Sequence, residues 1–410
     1  MLFTKPKKAI GLDIGTHSIK AVQLSRSGGR LFVEEVGYAL VDRNQVNADP
    51  VAAHADAVRE CLRQLAVQQS CLVTGLPGQT VVIRYPRLSE SAKNSLAEAV
   101  EREAGQSIPY DRSEVSLDWT LLDEVEEGDA KQLKVLLVAA KHEIIDSRVQ
   151  ILDVAELQSA ILGVDSLALA DAAEACDFLR VGETVALVNV GLTSASIHFV
   201  KDGISNFIRD VNWGAREMIQ AIAKEQHCEY EEAERVLLGM SSEAESAPPP
   251  VEEASAPAEA APVADVLDDP FGGPDALGGD SLLDPLDDEL GDAAATPVAA
   301  KTPRGPRDAR DVLAVPLQRM VSEIRRSFDY YEHQLYERPV DRLILSGGVA
   351  ELPAISNVLI DELGVETVEV ANPATSALVL GDDFSVAPLL EHPSQFMVAV
   401  GLAARGMADL

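Results

Sequence analysis

One pattern occurs twice in this chain of 410 residues: a buried strand, a tight turn with glycine, two further strands and a helix. The first copy begins near residue 9 and the second near residue 184. Such an internal duplication of mixed α/β units predicts two like domains that face each other across a cleft. Ligands of such folds bind at the turns that follow the strand ends, so these turns are the first candidates for function.

An acidic, proline-rich stretch interrupts the second copy. Residues 241–300 carry 15 Asp or Glu and no Lys or Arg, and residues 241–310 hold 11 of the 22 prolines and a single aromatic, Phe271. A segment of this composition buries too little apolar surface to offset the entropy of ordering it, so we expect a disordered insertion over 241–310. Deleting it joins two regular halves into a globular part of about 340 residues.

The charge balance and the cysteine content exclude several classes of protein. With 67 acidic and 34 basic residues the formal net charge is −33. This excludes a generally basic nucleic-acid-binding protein, because phosphate neutralisation needs clustered Lys and Arg. The four cysteines lie far apart with no C-x-x-C pair, so neither a disulfide framework nor a zinc site is expected. No apolar run reaches the roughly 18–20 residues that cross a bilayer.

The first turn of the duplicated unit has residues suited to a phosphate ligand. It reads Asp-Ile-Gly-Thr-His-Ser-Ile-Lys over residues 13–20. Successive backbone N–H groups near Gly15 can form a nest for an anion, Lys20 can offset phosphate charge, and Asp13 can hold Mg²⁺, which prefers hard oxygen ligands. The candidates in this turn are Asp13, Gly15, Thr16, His17, Ser18 and Lys20. Taken by itself, the pattern also fits a β-hairpin whose turn residues are simply polar.

Two further turns follow in a matching order. Residues 189–194 follow the first strand of the second copy, and residues 346–350 follow a later strand and precede a helix. Both turns contain glycine and other small residues. Three such turns in this order favour a nucleotide site over three unrelated strand ends.

With these turns, the sequence resembles the actin, Hsp70 and sugar-kinase ATPase superfamily. The signature of that superfamily is a phosphate loop, a second phosphate loop and an adenosine-binding Gly-Gly turn in this order. Residues 9–240 and 311–405 resemble, more closely, the type IV pilus assembly PilM family, a relative of the cell-division protein FtsA. The stretches that carry this closer resemblance lie outside the nucleotide motifs: Leu76 to Gln79, Glu103 to Tyr110, Leu136 to Lys141, Val164 to Ser166 and Ala399 to Ala403.

The resemblance implies an α/β protein of two actin-like (Hsp70-like) domains, each an RNase H-like unit, with the small inserted subdomain that the PilM and FtsA families share. The implied limits are 1–75 and 160–183 for the first domain, 76–159 for the inserted subdomain, 184–240 and 311–385 for the second domain, and 386–410 for a C-terminal helix that returns to the first domain. The acidic insertion takes the remaining residues, 241–310.

The same resemblance implies ATP and Mg²⁺ as ligands. The first turn would hold the phosphates, and Asp13 would also hold the metal. The other implied ligands are Asn189, Gly191 and Thr193 in the second phosphate loop, Gly347, Gly348 and Val349 beside the adenine, and Glu234 at the ribose.

Three positions depart from the family pattern on the second domain's side of the cleft. The second phosphate loop usually begins with Asp, and here it begins with Asn189. An amide cannot act as a base and is a weaker Mg²⁺ ligand than a carboxylate. The family's Lys three residues after the ribose Glu is Leu237 here, and its Gly-Gly pair near the nucleotide is Trp213-Gly214. We therefore expect nucleotide binding with weak or no hydrolysis, and we assign no catalytic residue.

The implied function is that of a scaffold. A PilM-like protein would be a cytoplasmic adaptor, peripheral at the inner membrane, that binds the N-terminal tail of PilN between the first domain and the inserted subdomain. It would thereby be linked to PilO, PilP and the pilus motor ATPases, with nucleotide setting the cleft angle. The candidate peptide contacts are Arg84, Glu103, Ile108 and Pro109, which also fit core or turn roles. Neither nucleic acid nor direct membrane insertion is expected, and self-association is left open.

Three alternatives remain. A membrane-associated filament protein like FtsA ends in a basic amphipathic helix, whereas residues 401–410 here are short and nearly neutral. An active ATPase or sugar kinase is disfavoured by Asn189 and by the lack of a sugar-binding signature. A cytoplasmic scaffold of type II secretion shares the fold but is usually joined to its own membrane span.

Overall fold

The computed structural model describes residues 8–63, 65–67, 70–127, 130–245 and 309–408. The insertion expected over 241–310 lies outside the described residues except at its two ends. Both ends are helical, since one helix continues to Glu245 and the next begins at Ala309.

The strands of the described residues form three sheets. Their bounds are β1 (Lys8–Ile14), β2 (Ser18–Ser27), β3 (Arg30–Leu40), β4 (Cys71–Leu76), β5 (Val81–Arg84), β6 (Arg87–Ser89), β7 (Val115–Glu127), β8 (Ala130–Lys141), β9 (Ile161–Val164), β10 (Thr184–Val190), β11 (Ala195–Lys201), β12 (Ile204–Val211), β13 (Arg342–Gly347), β14 (Thr367–Val370) and β15 (Val379–Leu380).

The helices cover these sheets. Their bounds are α1 (Arg43–Ala48), α2 (Pro50–Leu62), α3 (Leu96–Ser107), α4 (His142–Val154), α5 (Asp165–Ala175), α6 (Ala215–Gln226), α7 (Tyr230–Glu245), α8 (Ala309–Val312), α9 (Ala314–Asp329), α10 (Pro353–Leu363), α11 (Ala387–Glu391) and α12 (Met397–Met407). One π-helical turn, Tyr330–Gln334, follows α9. Among the described helices, none has both the length and the apolar character needed to span a bilayer.

The first sheet has the order β15-β3-β2-β1-β4-β9. β1 pairs antiparallel with β2 and parallel with β4, and its residues from Ala9 to Ile14 are all buried, as expected for a strand covered on both faces. α12 lies across this sheet and against α5, and most of its residues are buried. The helix therefore covers the core instead of presenting an amphipathic face to solvent.

The second sheet repeats the arrangement with the order β12-β11-β10-β13-β14. β10, β11 and β12 form an antiparallel meander like that of β1 to β3, and β13 is parallel to β10 as β4 is to β1. In its core the ring of Phe199 stacks on Tyr331 at a centroid distance of 4.4 Å. We call the first sheet with α1, α2, α4, α5 and α12 the first lobe, and the second sheet with α6, α7, α9 and α10 the second lobe.

The third sheet belongs to the inserted subdomain, which consists of β5 to β8 and α3. β8 is central, with β5 and β6 on one side and β7 on the other. Val100 and Ala104 of α3 pack on Val135 and Leu137 of β8 and close a small core of their own. β5 and β7 are therefore edge strands of this sheet.

Two segments pack against a different part of the molecule from the domain to which the inferred limits assign them. α4, within 76–159, packs on α2 and contributes Leu152 to the core of the first lobe. β15, within 311–385, pairs with Phe32 and Val33 of β3. The residue pattern of a short helix or strand predicts its type but not the lobe against which it packs.

Candidate functional site

A cavity of about 1030 Å³ lies between the two lobes, where β1, β10 and β13 end. The turns that follow these strands meet there although they are far apart in sequence. The cavity is lined by all the residues that the sequence suggested for a nucleotide: Asp13, Gly15, Thr16, His17, Ser18, Lys20, Asn189, Gly191, Thr193, Glu234, Gly347, Gly348 and Val349.

The turn between β1 and β2 places a carboxylate and an ammonium group at the floor of the cavity. Asp13 and Lys20 face each other in the β1–β2 register, and Lys20 Nζ donates to Asp13 Oδ2 at 3.3 Å. Both side chains are largely buried. Burial also lowers the pKa of His17 in this turn; Glu234 opposes the shift, while Arg43 and Lys20 add to it. His17 is therefore a neutral imidazole at pH 7.

The turn between β10 and β11 is tied to the start of α6. Gly191 N donates to Ser194 O at 2.9 Å within the turn, and Ala215 N donates to Gly191 O at 3.0 Å. Asn189 Oδ1 accepts from Ser346 Oγ at 3.2 Å, which links this turn to β13. The turn therefore has a fixed shape at the start of a helix, a position that suits an anion.

The turn after β13 depends on glycine. Gly347 has φ +104°, and a Cβ at this position would lie 2.2 Å from the carbonyl oxygen of Val190. A side chain is excluded there on both grounds. At Gly348 a Cβ would meet nothing within 4 Å, so this residue leaves space in the cavity. The two glycines thus have different roles: Gly347 allows the backbone conformation of the turn, and Gly348 leaves space for a ligand.

Two half-buried acids at the cavity were not identified from the sequence. Asp165 begins α5 directly after β9, and Asp210 lies on β12. A Cβ on Gly75 would lie 1.8 Å from Asp165 Oδ1, so the end of β4 must be glycine for this carboxylate to fit. The position of Asp165 between a short strand and an alanine-rich helix could have indicated a site residue. In the sequence analysis, however, the stretch from Val164 to Ser166 served only as part of the family resemblance.

Burial raises the pKa of Asp165 to about 8; Asp13 and Asp210 add to this shift, and Arg148 opposes it. Among the described residues, Asp165 Oδ1 is buried and has no hydrogen-bond partner. Arg148 is itself buried and donates to the carbonyl oxygen of Ile14 at 3.2 Å. The floor of the cavity thus holds more carboxyl groups than cations, and a bound cation would reduce the repulsion between them.

The donor set of the cavity fits a nucleotide with Mg²⁺. Asp13 and Asp165 offer hard oxygens beside the Lys20 ammonium group, and the two phosphate turns offer backbone N–H groups. No three His, Cys, Asp or Glu side chains of the described chain converge into a complete metal site. A cation here would therefore take one or two protein oxygens and complete its shell with phosphate and water, the usual arrangement for Mg²⁺ with nucleotides.

Glu234 on α7 faces the cavity and is held from the first lobe. Arg43 Nη2 donates to Glu234 Oε1 at 2.8 Å, and His17 Nδ1 lies 3.6 Å from the same oxygen. The Arg43 guanidinium carbon also lies 3.9 Å from the centroid of the Tyr230 ring. Neither Arg43 nor Tyr230 was singled out in the sequence, because their proximity arises only when the lobes come together.

The four candidate partner contacts lie in the inserted subdomain, and none lines the cavity. Arg84 ends β5 and is exposed, Glu103 on α3 is half-buried, and Pro109 after α3 is exposed. Ile108 is part of the subdomain core beside Val100, so it is packed inside and does not face a groove.

Comparison with known families gives one match over most of the chain. The family described as "Type IV pilus assembly protein PilM" matches residues 11–241 and 275–407.

Solved structures show the fold. The structure described as "PilM-PilN type IV pilus biogenesis complex" has a TM-score of 0.71 at 22% identity, covering 98% of this chain and 99% of that chain. The ethanolamine utilization protein EutJ from Carboxydothermus hydrogenoformans has a TM-score of 0.48 at 14% identity, covering 98% and 90%. MreB 5 of Spiroplasma citri bound to AMPPNP has a TM-score of 0.44 at 9% identity, covering 97% and 95%. The first of these structures shows the fold of this chain, and the duplicated sheets described above agree with the actin-like fold that the resemblance implied.

Proposed function

Because the chain belongs to the PilM family of type IV pilus assembly proteins, we propose that it is an actin-like adaptor that binds the N-terminal tail of PilN and is gated by nucleotide. The family match carries this proposal. The description of a similar structure as a PilM-PilN complex supports PilN as the partner.

Nucleotide binding is the first part of the proposal. The triphosphate would lie against the turns at Gly15 and Gly191, with Lys20 beside its charge and Asp13 as the protein ligand of Mg²⁺. The base would lie near the Gly348 turn and the sugar near Glu234. Since these residues come from both lobes, a bound nucleotide would favour one angle between the lobes and shift the population that accepts a partner.

The inserted subdomain is the proposed binding surface for the tail. β5 is an edge strand, and an extended peptide can add to such an edge through main-chain hydrogen bonds while side chains fill adjacent pockets. Arg84 and Glu103 are the charged candidates on this surface. Through PilN the protein would be held at the cytoplasmic face of the inner membrane, next to PilO and PilP and in reach of the motor ATPases.

A peptide titration tests the proposed partner. A fluorescent peptide of the PilN N-terminal tail is titrated with the full chain, and saturable binding with one site per chain is expected. Arg84→Glu and Glu103→Arg should weaken this binding. Lys224→Glu, at an exposed position of α6 in the second lobe and outside the cavity lining, should not. A peptide that binds no better than its scrambled version would overturn the proposed partner.

Slow ATP hydrolysis is a second candidate, favoured by Asp165. Its carboxyl lies at the cavity with a pKa raised to about 8, in the range that suits a general base near neutral pH. The test is single-turnover hydrolysis with Asp165→Asn beside the unaltered chain. Phosphate release by the unaltered chain that is lost in Asp165→Asn supports a slow ATPase. If neither protein releases phosphate, the result supports an adaptor without hydrolysis.

A further inference from the structure

The contact between Arg43 and Glu234 joins the two lobes at the rim of the cavity. Arg43 is the first residue of α1 in the first lobe, and Glu234 lies on α7 of the second. The bond from Arg43 Nη2 to Glu234 Oε1 is 2.8 Å long and pairs opposite charges, so it is of the stronger class of hydrogen bonds. About a third of the Arg43 side chain and a fifth of the Glu234 side chain are exposed, so the pair is partly shielded from water.

Several further contacts fix Arg43 in this place. The side chain of Asp42 caps α1 by accepting from Asn44 N at 2.8 Å, which sets the start of the helix. The guanidinium carbon lies over the ring of Tyr230, and this contact limits the rotamers that Arg43 can adopt. The arginine is therefore held on two sides, by a ring and by a carboxylate of the same helix.

The geometry leaves half of the Glu234 carboxylate for a ligand. The described contacts of this group, from Arg43 and from His17, are both to Oε1. Oε2 stays available as an acceptor in a residue that lines the cavity. A carboxylate oxygen accepts hydrogen bonds only, so its natural ligands are hydroxyl or N–H groups.

We propose that Arg43 is a positioning residue that orients Glu234 to accept the hydroxyl groups of the nucleotide sugar. This rests on the proposed binding of nucleotide. Since Arg43 and Glu234 belong to different lobes, recognition of the sugar requires the lobes to be together as they are here. The described contacts of Arg43 are to α7 and do not include Gly15 or Lys20, at the triphosphate end of the site.

Binding of two nucleotides that differ only in the sugar tests this proposal. Isothermal titration calorimetry gives the Kd of Mg-ATP and of Mg-2′,3′-dideoxy-ATP, which lacks both hydroxyls. The unaltered chain should bind ATP about tenfold more tightly, because hydrogen bonds to a charged group are being lost with the dideoxy analogue. In Arg43→Ala and in Glu234→Gln this ratio should fall towards one. Arg43→Lys, which keeps the charge but not the planar fork, should recover only part of it.

Three controls separate positioning from damage to the fold. Arg63→Ala removes an exposed arginine directly after α2 that pairs with Glu60 away from the cavity, and it should keep the tenfold ratio. Inorganic tripolyphosphate with Mg²⁺ should bind equally well to the unaltered chain and to Arg43→Ala. The double variant Arg43→Ala/Glu234→Gln should have the ratio of Glu234→Gln alone, because the arginine acts through the carboxylate.

The outcomes distinguish this inference from the proposed function. A chain that binds ATP and its dideoxy analogue equally, or an Arg43→Ala variant that keeps the ratio, overturns the role of Arg43 and leaves nucleotide binding intact. A chain that binds neither nucleotide overturns the proposed nucleotide site, and the role of Arg43 with it.

Discussion

The hydroxyl of Tyr85 lies 2.6 Å from the Oγ atom of Ser205, and this contact joins the inserted subdomain to the second lobe. Ser205 Oγ also lies 2.8 Å from His198 Nε2, and His198 Nδ1 lies 2.9 Å from the carbonyl oxygen of Ser166. Burial lowers the pKa of His198 to about 4, so the ring is neutral at pH 7. Because a carbonyl only accepts, His198 donates to Ser166, Ser205 donates to His198, and Tyr85 donates to Ser205.

Removal of the Tyr85 hydroxyl should weaken the junction between the subdomain and the second lobe. Tyr85→Phe should lower the free energy of unfolding by about 1–2 kcal/mol, since Ser205 loses a buried donor. Tyr110→Phe is the matched control, because Tyr110 is a more exposed tyrosine of the same subdomain, and its effect should stay within about 0.5 kcal/mol. Urea unfolding measures both, and equal effects of the two substitutions would contradict the assignment.

The two glycines after β13 should respond differently to the same substitution. Gly347→Ala forces a side chain into a positive φ and into the carbonyl oxygen of Val190, so we expect a loss of at least about 2 kcal/mol or failure to fold. Gly348→Ala meets no neighbouring atom and should keep the stability within about 0.5 kcal/mol. It should instead weaken Mg-ATP binding, because its methyl group enters the cavity. Thermal unfolding and calorimetry measure the two effects, and a stable Gly347→Ala would show that the strain is absent.

Much of the framework follows from the sequence, because local patterns fix it. The duplicated meander was predictable from buried strands separated by glycine turns, and the three turns proved to line one cavity. α5 was not predicted. Its own residues Ala168, Leu169, Ala172 and Ala173 are buried, and its sequence is apolar on several sides, so it lacks a clear amphipathic period. The link between Arg43 and Glu234 and the burial of Asp165 arise from contacts between distant segments, which a local pattern does not encode.

Asp165 should make the stability of the ligand-free chain depend on pH. Its folded pKa of about 8 lies well above the value near 4 of an unfolded chain. Between these values the folded state binds more protons than the unfolded state, so this group lowers the free energy of unfolding as the pH rises, by up to about 1.4 kcal/mol per unit. Above pH 8 the carboxyl is ionised in both states, so its destabilising contribution to the free energy of unfolding no longer changes with pH.

The substitution Asp165→Asn removes this titration. Relative to the unaltered chain, the variant should gain stability between pH 5 and pH 8, and the gain should level off above pH 8. Urea unfolding without nucleotide or Mg²⁺ across pH 5 to 9 measures the difference. Two curves that stay parallel over this range would show that the Asp165 carboxyl does not titrate there.

Glu337 balances several cations at the junction of the subdomain and the second lobe. It accepts from Lys201 Nζ at 2.7 Å and lies 3.7 Å from Arg87 Nη2. Lys134 is also close: burial lowers its pKa to about 8, and Glu337 opposes that shift. Glu337→Gln should cost about 1–3 kcal/mol of stability, because buried positive charge is left uncompensated.

A surface ion pair provides the control for Glu337. Glu362 pairs with Arg325, and about half of each side chain is exposed. Glu362→Gln should therefore change the free energy of unfolding by less than about 1 kcal/mol. Equal losses for the two substitutions in urea unfolding would argue against a special role of Glu337.

The affinity of the PilN tail with and without nucleotide tests the account most directly. The full chain is titrated with the fluorescent tail peptide in the presence and absence of Mg-ATP, together with Asp13→Asn, which lacks the proposed metal ligand. We predict saturable binding that Mg-ATP tightens by about fivefold or more in the unaltered chain and leaves unchanged in Asp13→Asn. A peptide that fails to bind under either condition, or that binds with an affinity indifferent to Mg-ATP, would contradict a nucleotide-gated adaptor.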